Sequence, residues 1–336
     1  MRLFPHHWGY QYRRVSLSLL LLMGLKRLTP LLRLVAIMLG KLRMNTEEAL
    51  AKYYDLGKVI FRKRNRNIAV TRYGAEALEK SVKGIVKEYG NSERMYDPRD
   101  EPGTTGKTLV FGVRRKDIGV PQRFRSYASK HDKKYRDCKV WEAARATSAA
   151  PTYFGPITIA HNGELEDFID AAIGFNNPIS EVLNEAGLEL DPNLEVGCIL
   201  SLGCGTRSRS LKKSNGIFGG LILLGSALGM SKSTTTDPEM EHYRTETRLS
   251  EFEDTYFRLS VPNGAAVVEL ADYKKMELLQ KMTEDYMNQK EIKERIEKVA
   301  RILAEKKTQH ATVGTVCELS IFSFFSDGTY GQLIPR

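Results

Sequence analysis

The stretch from Cys138 to Pro178 constrains the fold more than any other part of the sequence. Its first part, Val140 to Ala150, is alanine-rich with apolar residues at helical spacing, and it ends at a proline, so it predicts a helix. Two short strands follow, joined at Asn162-Gly163, a pair favoured in tight hairpin turns. The second strand ends at Asp170, a carboxylate that follows apolar residues and comes just before a turn. Such a carboxylate predicts either a reactive group or a capping residue of the turn.

The rest of the chain alternates helical patterns with short apolar runs, which predicts an α/β fold. Asn45 and Glu48 have the spacing of a capping box. Asn177-Pro178 predicts an N-cap and a first turn for another helix. The remaining predicted strands are Thr108–Val113, Val196–Leu202 and Tyr256–Val261, and the remaining helices carry the apolar faces of Leu78–Tyr89 and Asp272–Lys306.

The positive charge of the chain is concentrated near its beginning. The net charge is +10, and residues 1–44 hold eight of the cations, Arg33 among them, with no acid. Basic surface is attracted to anionic lipid headgroups. No interleaving of aromatic and basic residues supports nucleic-acid binding. We therefore expect no nucleic acid as a partner, and an anionic membrane surface or a simple solvated face remain the two interpretations.

An apolar run, Val15 to Leu25, follows the first basic residues. No small-residue cleavage site comes after it, since Lys26-Arg27 does, and the run is too short to span a bilayer. The four cysteines are widely spaced, with no CxxC pair, which indicates reduced thiols. We expect a cytoplasmic protein, peripheral on membranes at most.

Neither a metal nor a cofactor is expected. The cysteines have no metal-ligand spacing, and Gly203-Cys204-Gly205 lacks the lysine and hydroxyl residue of a phosphate loop.

Several segments together resemble the fungal type of patatin-like lipid acyl hydrolase, a member of the patatin-like phospholipase family. The similarity covers roughly residues 15 to 305, and the combination is far more specific than any one motif. The segments that carry it are Ala36–Phe61, Phe124–Tyr127, Trp141–Phe154, Phe168–Pro178, Val196–Gly205 and Tyr256–Val261.

The resemblance implies a fold and a chemistry. The fold would be a three-layer sandwich with a mostly parallel central sheet, and the substrates would be phospholipids or acylglycerols. A serine–aspartate dyad would cleave the ester, with the serine on a strained strand-to-helix turn and backbone amides of a glycine-rich turn binding the oxyanion. By position, Asp170 is the general base.

Two parts of that machinery are missing from the sequence. Tyr12-Arg13-Arg14 stands where the family has its glycine-rich turn, and Pro30 to Leu34 stands where it has Gly-x-Ser-x-Gly. A third departure is Ala171, where the family has glycine after the aspartate. A Cβ there could displace the carboxylate if the position needs a positive φ.

Three serines are candidate substitutes for the nucleophile, namely Ser148, Ser201 and Ser226. Ser201 has a glycine on one side only, Ser226 is displaced by one position in Gly-Ser-Ala-Leu-Gly, and Ser148 lies in a predicted helix. A structural role is the stronger interpretation for each.

The domain boundaries follow the resemblance. Residues 1–14 are unassigned, 15–305 form a partial patatin-like domain with a probable insertion at 206–242, and 306–336 form a C-terminal tail. Loss of a central strand would expose apolar surface, so we expect Val15 to Leu39 to be helical but badly packed.

Two functional hypotheses remain. In the first, the gene encodes a lipid acyl hydrolase and this chain lacks segments of it, because family-like sequence stops abruptly where both motifs are missing. In the second, the chain is a non-catalytic patatin-like protein that binds lipid or a partner.

Overall fold

A computed structural model describes residues 29–62, 64, 71–99, 107–203, 238–262, 273–305 and 311–317. Most of residues 1–44 that carry the basic charge, nearly all of the segment 206–242, and Ser226 lie outside these ranges. The described chain contains helices and sheets in alternation, so the α/β class is confirmed.

The helices agree with the predicted periodicity, and the predicted capping box is present, with reciprocal bonds of 2.9 Å between Asn45 and Glu48. The predicted cap at Asn177 is wrong, because the cap position is Pro178 and the Asn177 amide donates to the Pro238 carbonyl at 3.1 Å. The helices are α1 (Thr29–Ala36, continued by a π-turn at Ile37–Lys41), α2 (Thr46–Ile60), α3 (Ala75–Tyr89), α4 (Val140–Thr147), α5 (Ile179–Glu189), α6 (Pro238–Arg248), α7 (Met276–Met287, preceded by a 3-10 turn at Tyr273–Lys275) and α8 (Lys290–Glu305).

The strands form two sheets among the described residues. Four of them pair in the order β2-β1-β4-β3, and the other two, β5 and β6, pair with each other. They are β1 (Leu109–Arg114), β2 (Asp117–Arg125), β3 (Ile157–His161), β4 (Glu164–Asp170), β5 (Ile199–Gly203) and β6 (Tyr256–Ser260).

The strand directions depart from the expected mostly parallel sheet. In the described part of the chain only β5 and β6 are parallel, while β1–β2, β1–β4 and β3–β4 are antiparallel. Short connections explain two of these pairs, β1–β2 and β3–β4, because a hairpin joins antiparallel strands and a parallel pair needs a long crossover. The predicted turn at Asn162 and Gly163 is confirmed, with φ values of 51° and 82°.

The four-stranded sheet lies between two layers of helix. Phe124 and Phe168 project from one face into the core that contains the alanines of α4. The opposite face of β2 presents Arg123 and Arg125 to Glu181 and Glu185 of α5. Side chains alternate along a strand, so successive residues of each strand face opposite helix layers.

The start of the described chain is well packed. Leu31, Leu34, Val35, Ile37 and Met38 are all 3% exposed or less and belong to the main core. The helical expectation is therefore confirmed for residues 29–41, and the expectation of poor packing is wrong there. The reason is that α1 fits against α4 and β1, whose small and apolar side chains accept it.

Residues 311–317 also contribute to the packing. The backbone of Val313 and Ala311 bonds to Leu194 and Val196 at 2.8 and 2.9 Å, and Val316 is buried. This segment lies within the region predicted as a C-terminal tail. Across the described ranges, no helix combines the length and the apolar character needed to cross a bilayer.

We expect Phe168→Ala to lower the free energy of unfolding by about 3–5 kcal/mol, because it removes a fully buried ring from the centre of the sheet. That ring lies 5.4 Å from Phe124 and 5.2 Å from Tyr135, centroid to centroid. Leu165→Ala is the matched control on the same strand, at 68% exposure, and should change stability by less than about 0.5 kcal/mol. Urea unfolding of both variants checks this, and equal losses would contradict the placement of Phe168.

Candidate active site

Asp170, the predicted general base, is the last residue of β4. It lies opposite Gly112 of β1, and its backbone amide donates to the Ala149 carbonyl at 3.0 Å. Alternation along the strand places its side chain on the same face as Phe168, toward α1 and α4. The residue is 2% exposed.

The carboxylate is held by two donors that converge on one oxygen. Oδ1 accepts from the Arg33 guanidinium of α1 and from the backbone amide of Ala172 at 2.7 Å. Arg33 also donates from Nη1 to the Thr147 carbonyl at the end of α4, at 3.2 Å. One side chain therefore joins α1, α4 and β4 at the candidate site.

Arg33 is the residue that the sequence reasoning missed. The sequence pattern groups Arg33 with the other basic residues of the N-terminal segment, but its side chain is only 19% exposed. The signal was its position, since a single cation stands among Leu31, Leu34 and Val35, all of which are buried. A lone charge on an apolar helix face needs a buried partner of opposite sign.

Ala171 does not distort the turn after Asp170. It is absent from the non-glycine residues with positive φ in the described chain, and the residue of this turn that needs left-handed backbone is Gly174, at φ 102°. The concern that a Cβ at position 171 would displace the carboxylate is therefore wrong.

Of the three candidate serines, Ser148 lies beside Asp170 in the backbone network. Its neighbours Thr147 and Ala149 supply the carbonyls that Arg33 and Asp170 contact. Ser148 is fully buried, and its hydroxyl has no hydrogen-bond partner among the described residues. It caps the end of α4 and does not stand on a strand-to-helix turn.

Ser201 lies in the other sheet, on β5. Its hydroxyl accepts from Nη1 of the buried Arg258 at 2.9 Å, and Arg258 also donates to Glu239 at 3.2 Å. The close approach of Arg258 explains Gly203, because a Cβ there would meet Nη2 of Arg258 at 2.4 Å. This polar cluster is separate from Asp170.

His242 of α6 borders the Ser201 cluster. Its Nδ1 lies 3.1 Å from the Tyr256 hydroxyl, and its Nε2 lies 3.9 Å from Glu246. Burial lowers the pKa of His242 below its ordinary value of 6.5, in opposition to nearby carboxylates that raise it. In the described residues, no group of three or more metal-ligating side chains is close enough to hold a metal ion.

Comparison with known proteins decides the family. The model of the patatin-like phospholipase family matches residues 11–183, just over half of the chain. The chain belongs to the patatin-like phospholipase family. Asp170 and the α4–β4 unit lie inside the matched region.

Three relatives show the range of the similarity. Calcium-independent phospholipase A2-gamma of Rattus norvegicus is 26% identical over 286 residues, which cover 82% of this chain and 35% of the relative. Patatin-like phospholipase 1 of Plasmodium falciparum is 30% identical over 169 residues, which cover 44% of this chain and 24% of the relative. Phospholipase A I of Arabidopsis thaliana is 31% identical over 165 residues, which cover 46% of this chain and 12% of the relative. The chain spans about a third of the length of the first of these and less of the others.

We expect Arg33→Met to lower the free energy of unfolding by up to about 3 kcal/mol, because it leaves the buried Asp170 carboxylate without its cation. Asp170→Asn should also destabilise, and the double variant should lose less than the sum, because the two side chains interact. A double-mutant cycle by urea unfolding measures this coupling. Lys52→Met, which breaks an exposed pair with Glu88, is the control and should cost at most about 1 kcal/mol. Strict additivity would show that the ion pair does not form.

We also expect His242 to make stability depend on pH. Its folded pKa is lowered, so below about pH 6.5 the unfolded state binds the proton more readily, and the free energy of unfolding falls as the pH falls. His242→Gln should remove this part of the slope between about pH 7 and about pH 5 in urea unfolding. An unchanged slope, or stability that rises on acidification, would contradict the burial of the ring. The charged groups around it are Glu246, Glu239, Arg258 and Arg295.

Proposed function

We propose that this chain is a patatin-like lipid acyl hydrolase by descent, of fungal type, and that in its present form it is catalytically impaired. Membership of the family supports the reaction class, and the relatives it matches are named as phospholipases. The substrates would be phospholipids or acylglycerols, cleaved at a carboxylic ester.

The chemistry requires three groups to meet at the ester. A serine attacks the carbonyl, an aspartate accepts the serine proton, and backbone amides stabilise the oxyanion. In this proposal Asp170 is the aspartate of the dyad. The sequence provides no Gly-x-Ser-x-Gly segment and no glycine-rich turn for the other two.

The observation that carries the proposal is the contact between Arg33 and Asp170. Helix α1, which bears Arg33, contains the residues that stand where the family has its nucleophile turn. The oxygen that a serine would approach already accepts from the guanidinium and from the Ala172 amide. The carboxylate thus joins α1 to the sheet, so Asp170 has a structural role at the position where the family has its catalytic aspartate.

The same contact favours the second candidate, a non-catalytic patatin-like protein that binds lipid or a partner. A buried ion pair in place of a dyad stabilises the scaffold without any need for turnover. Both candidates share a cytoplasmic, peripheral association with anionic membranes, supported by the seven cations of residues 1–44 other than Arg33. They differ in whether the remaining site can be made active.

Ester hydrolysis tests the proposal directly. We expect the chain to turn over a chromogenic acyl ester on the order of 10⁴-fold or more slowly than a restored variant, because loss of the nucleophile removes the covalent step. In the restored variant, a Gly-x-Ser-x-Gly segment replaces residues 30–34 and a glycine-rich turn replaces residues 12–14. Restored activity would support descent from a hydrolase, and its absence in a folded variant would favour the non-catalytic candidate.

Three substitutions in the restored variant serve as controls. Asp170→Asn should abolish hydrolysis, whereas Ser201→Ala and Ser226→Ala should leave it unchanged, because neither serine belongs to the dyad. Robust turnover by the unrestored chain that is lost on Ser148→Ala or Ser201→Ala would overturn the proposal, since one of these serines would then be the nucleophile.

A further inference from the structure

The loop between β2 and α4, residues 126–139, is held to the fold by its own polar groups. At its start, the hydroxyl and amide of Ser126 bond to the backbone of Thr108 at 2.9 Å. At its end, the Val140 amide donates to the Glu93 carbonyl at 2.8 Å, and Cys138 accepts from Met95 at 2.9 Å. The loop therefore has a defined shape at both ends.

The acidic and hydroxyl side chains in the middle of the loop point inward. Tyr127 donates to the buried Glu185 at 2.7 Å, and Ser129 donates to Glu189, which also accepts from the Lys130 amide at 3.0 Å. Both carboxylate oxygens of Asp132 accept hydrogen bonds, one from the Arg125 guanidinium and the other from the Lys134 amide, each at 2.9 Å.

The cations of the same loop are left outside. Lys130, Lys133, Lys134 and Arg136 are all exposed. Lys133 and Lys134 have no carboxylate within ion-pair distance in the described part of the chain. The one other carboxylate of the loop, Asp137, pairs with Arg94 at 3.0 Å. With Asp132 paired to Arg125 and Asp137 paired to Arg94, the loop keeps a local excess of positive charge.

Three of these cations, Lys133, Lys134 and Arg136, border a shallow pocket that is open to solvent. One wall is built from Arg136 and Tyr96, whose hydroxyl accepts from the guanidinium at 3.0 Å while the guanidinium lies 4.5 Å from the ring centroid. The planar guanidinium is thereby held in one orientation, which reduces the entropy lost on binding. The lining includes the cations Arg125, Lys133, Lys134 and Arg136, the ring of Tyr127, and the carboxylate of Asp132, which is paired with Arg125.

From this arrangement we infer that the pocket beside residues 126–139 binds a phosphomonoester group. Such a group carries a charge of about −1.5 to −2 and three strong acceptor oxygens, which match two lysines and an oriented guanidinium. The lining is polar and aromatic, which excludes an acyl chain as the ligand. The group could be presented by a phosphomonoester lipid or by a soluble phosphate compound. The inference concerns binding alone and does not depend on hydrolysis at Asp170.

Binding of the full chain to vesicles of two compositions tests the site. Phosphatidylcholine vesicles contain either phosphatidic acid, a phosphomonoester, or enough phosphatidylserine, a phosphodiester, to give the same surface charge. General attraction by residues 1–44 should be alike for both. We expect co-sedimentation to favour phosphatidic acid, and Lys133→Ala/Lys134→Ala to weaken that binding by about tenfold or more.

Lys290→Ala/Lys293→Ala is the matched control, because it removes the same charge from exposed positions of α8 and should leave the preference unchanged. Competition by inorganic phosphate and glycerol phosphate identifies the source of the ligand. If these compete only weakly, a lipid phosphomonoester is the ligand, and if they displace the protein fully, the site takes soluble phosphates as well.

Several results would overturn the inference. Equal binding to the two kinds of vesicle would show that charge alone acts. Equal weakening by the loop variant and the α8 variant would show the same. A preference for phosphatidic acid that survives both Lys133→Ala/Lys134→Ala and Arg136→Gln would place the recognition elsewhere. A loop variant whose unfolding midpoint in urea equals that of the parent chain rules out misfolding as the cause of any loss.

Discussion

The ion pair between Arg33 and Asp170 links three elements that are distant in sequence. It joins α1 to the end of β4, and through the Thr147 carbonyl it includes the end of α4. Both groups are largely removed from water, so each depends on the other for compensation of its charge. The contact adds a buried polar link between α1 and the sheet to the apolar packing of the described start of the chain.

The sheet places Asp170 and the α5 carboxylates that contact the loop 126–139 on opposite faces. Phe124 and Phe168 face α1 and α4, together with Asp170, whereas Arg123 and Arg125 face the opposite layer, where α5 presents Glu181 and Glu185. The loop after β2 is anchored on both sides of the sheet, to the carboxylates of α5 and, through the Tyr135 ring, to the core that contains Phe168.

Much of the site could be predicted from the sequence, and the reasons are local. The strand that ends at Asp170, the turn at Asn162-Gly163 and the alanine-rich helix depend on spacing and backbone preference alone. The partner of Asp170 could not be predicted, because Arg33 is 137 positions away and resembles the other basic residues around it. A mostly parallel sheet was expected from the resemblance, whereas the short connections of β1 to β2 and of β3 to β4 give antiparallel pairs.

The sequence by itself determined the α/β class, the family resemblance and the placement of one carboxylate at a strand end, because these follow from periodicity and from residue types at fixed spacing. Only the tertiary structure decided which charge neutralises that carboxylate, that Ala171 fits its turn, and that Asp132 of the loop 126–139 bonds to Arg125 while Lys133 and Lys134 remain exposed. Those outcomes depend on distances between elements far apart in the chain, which local preference does not specify.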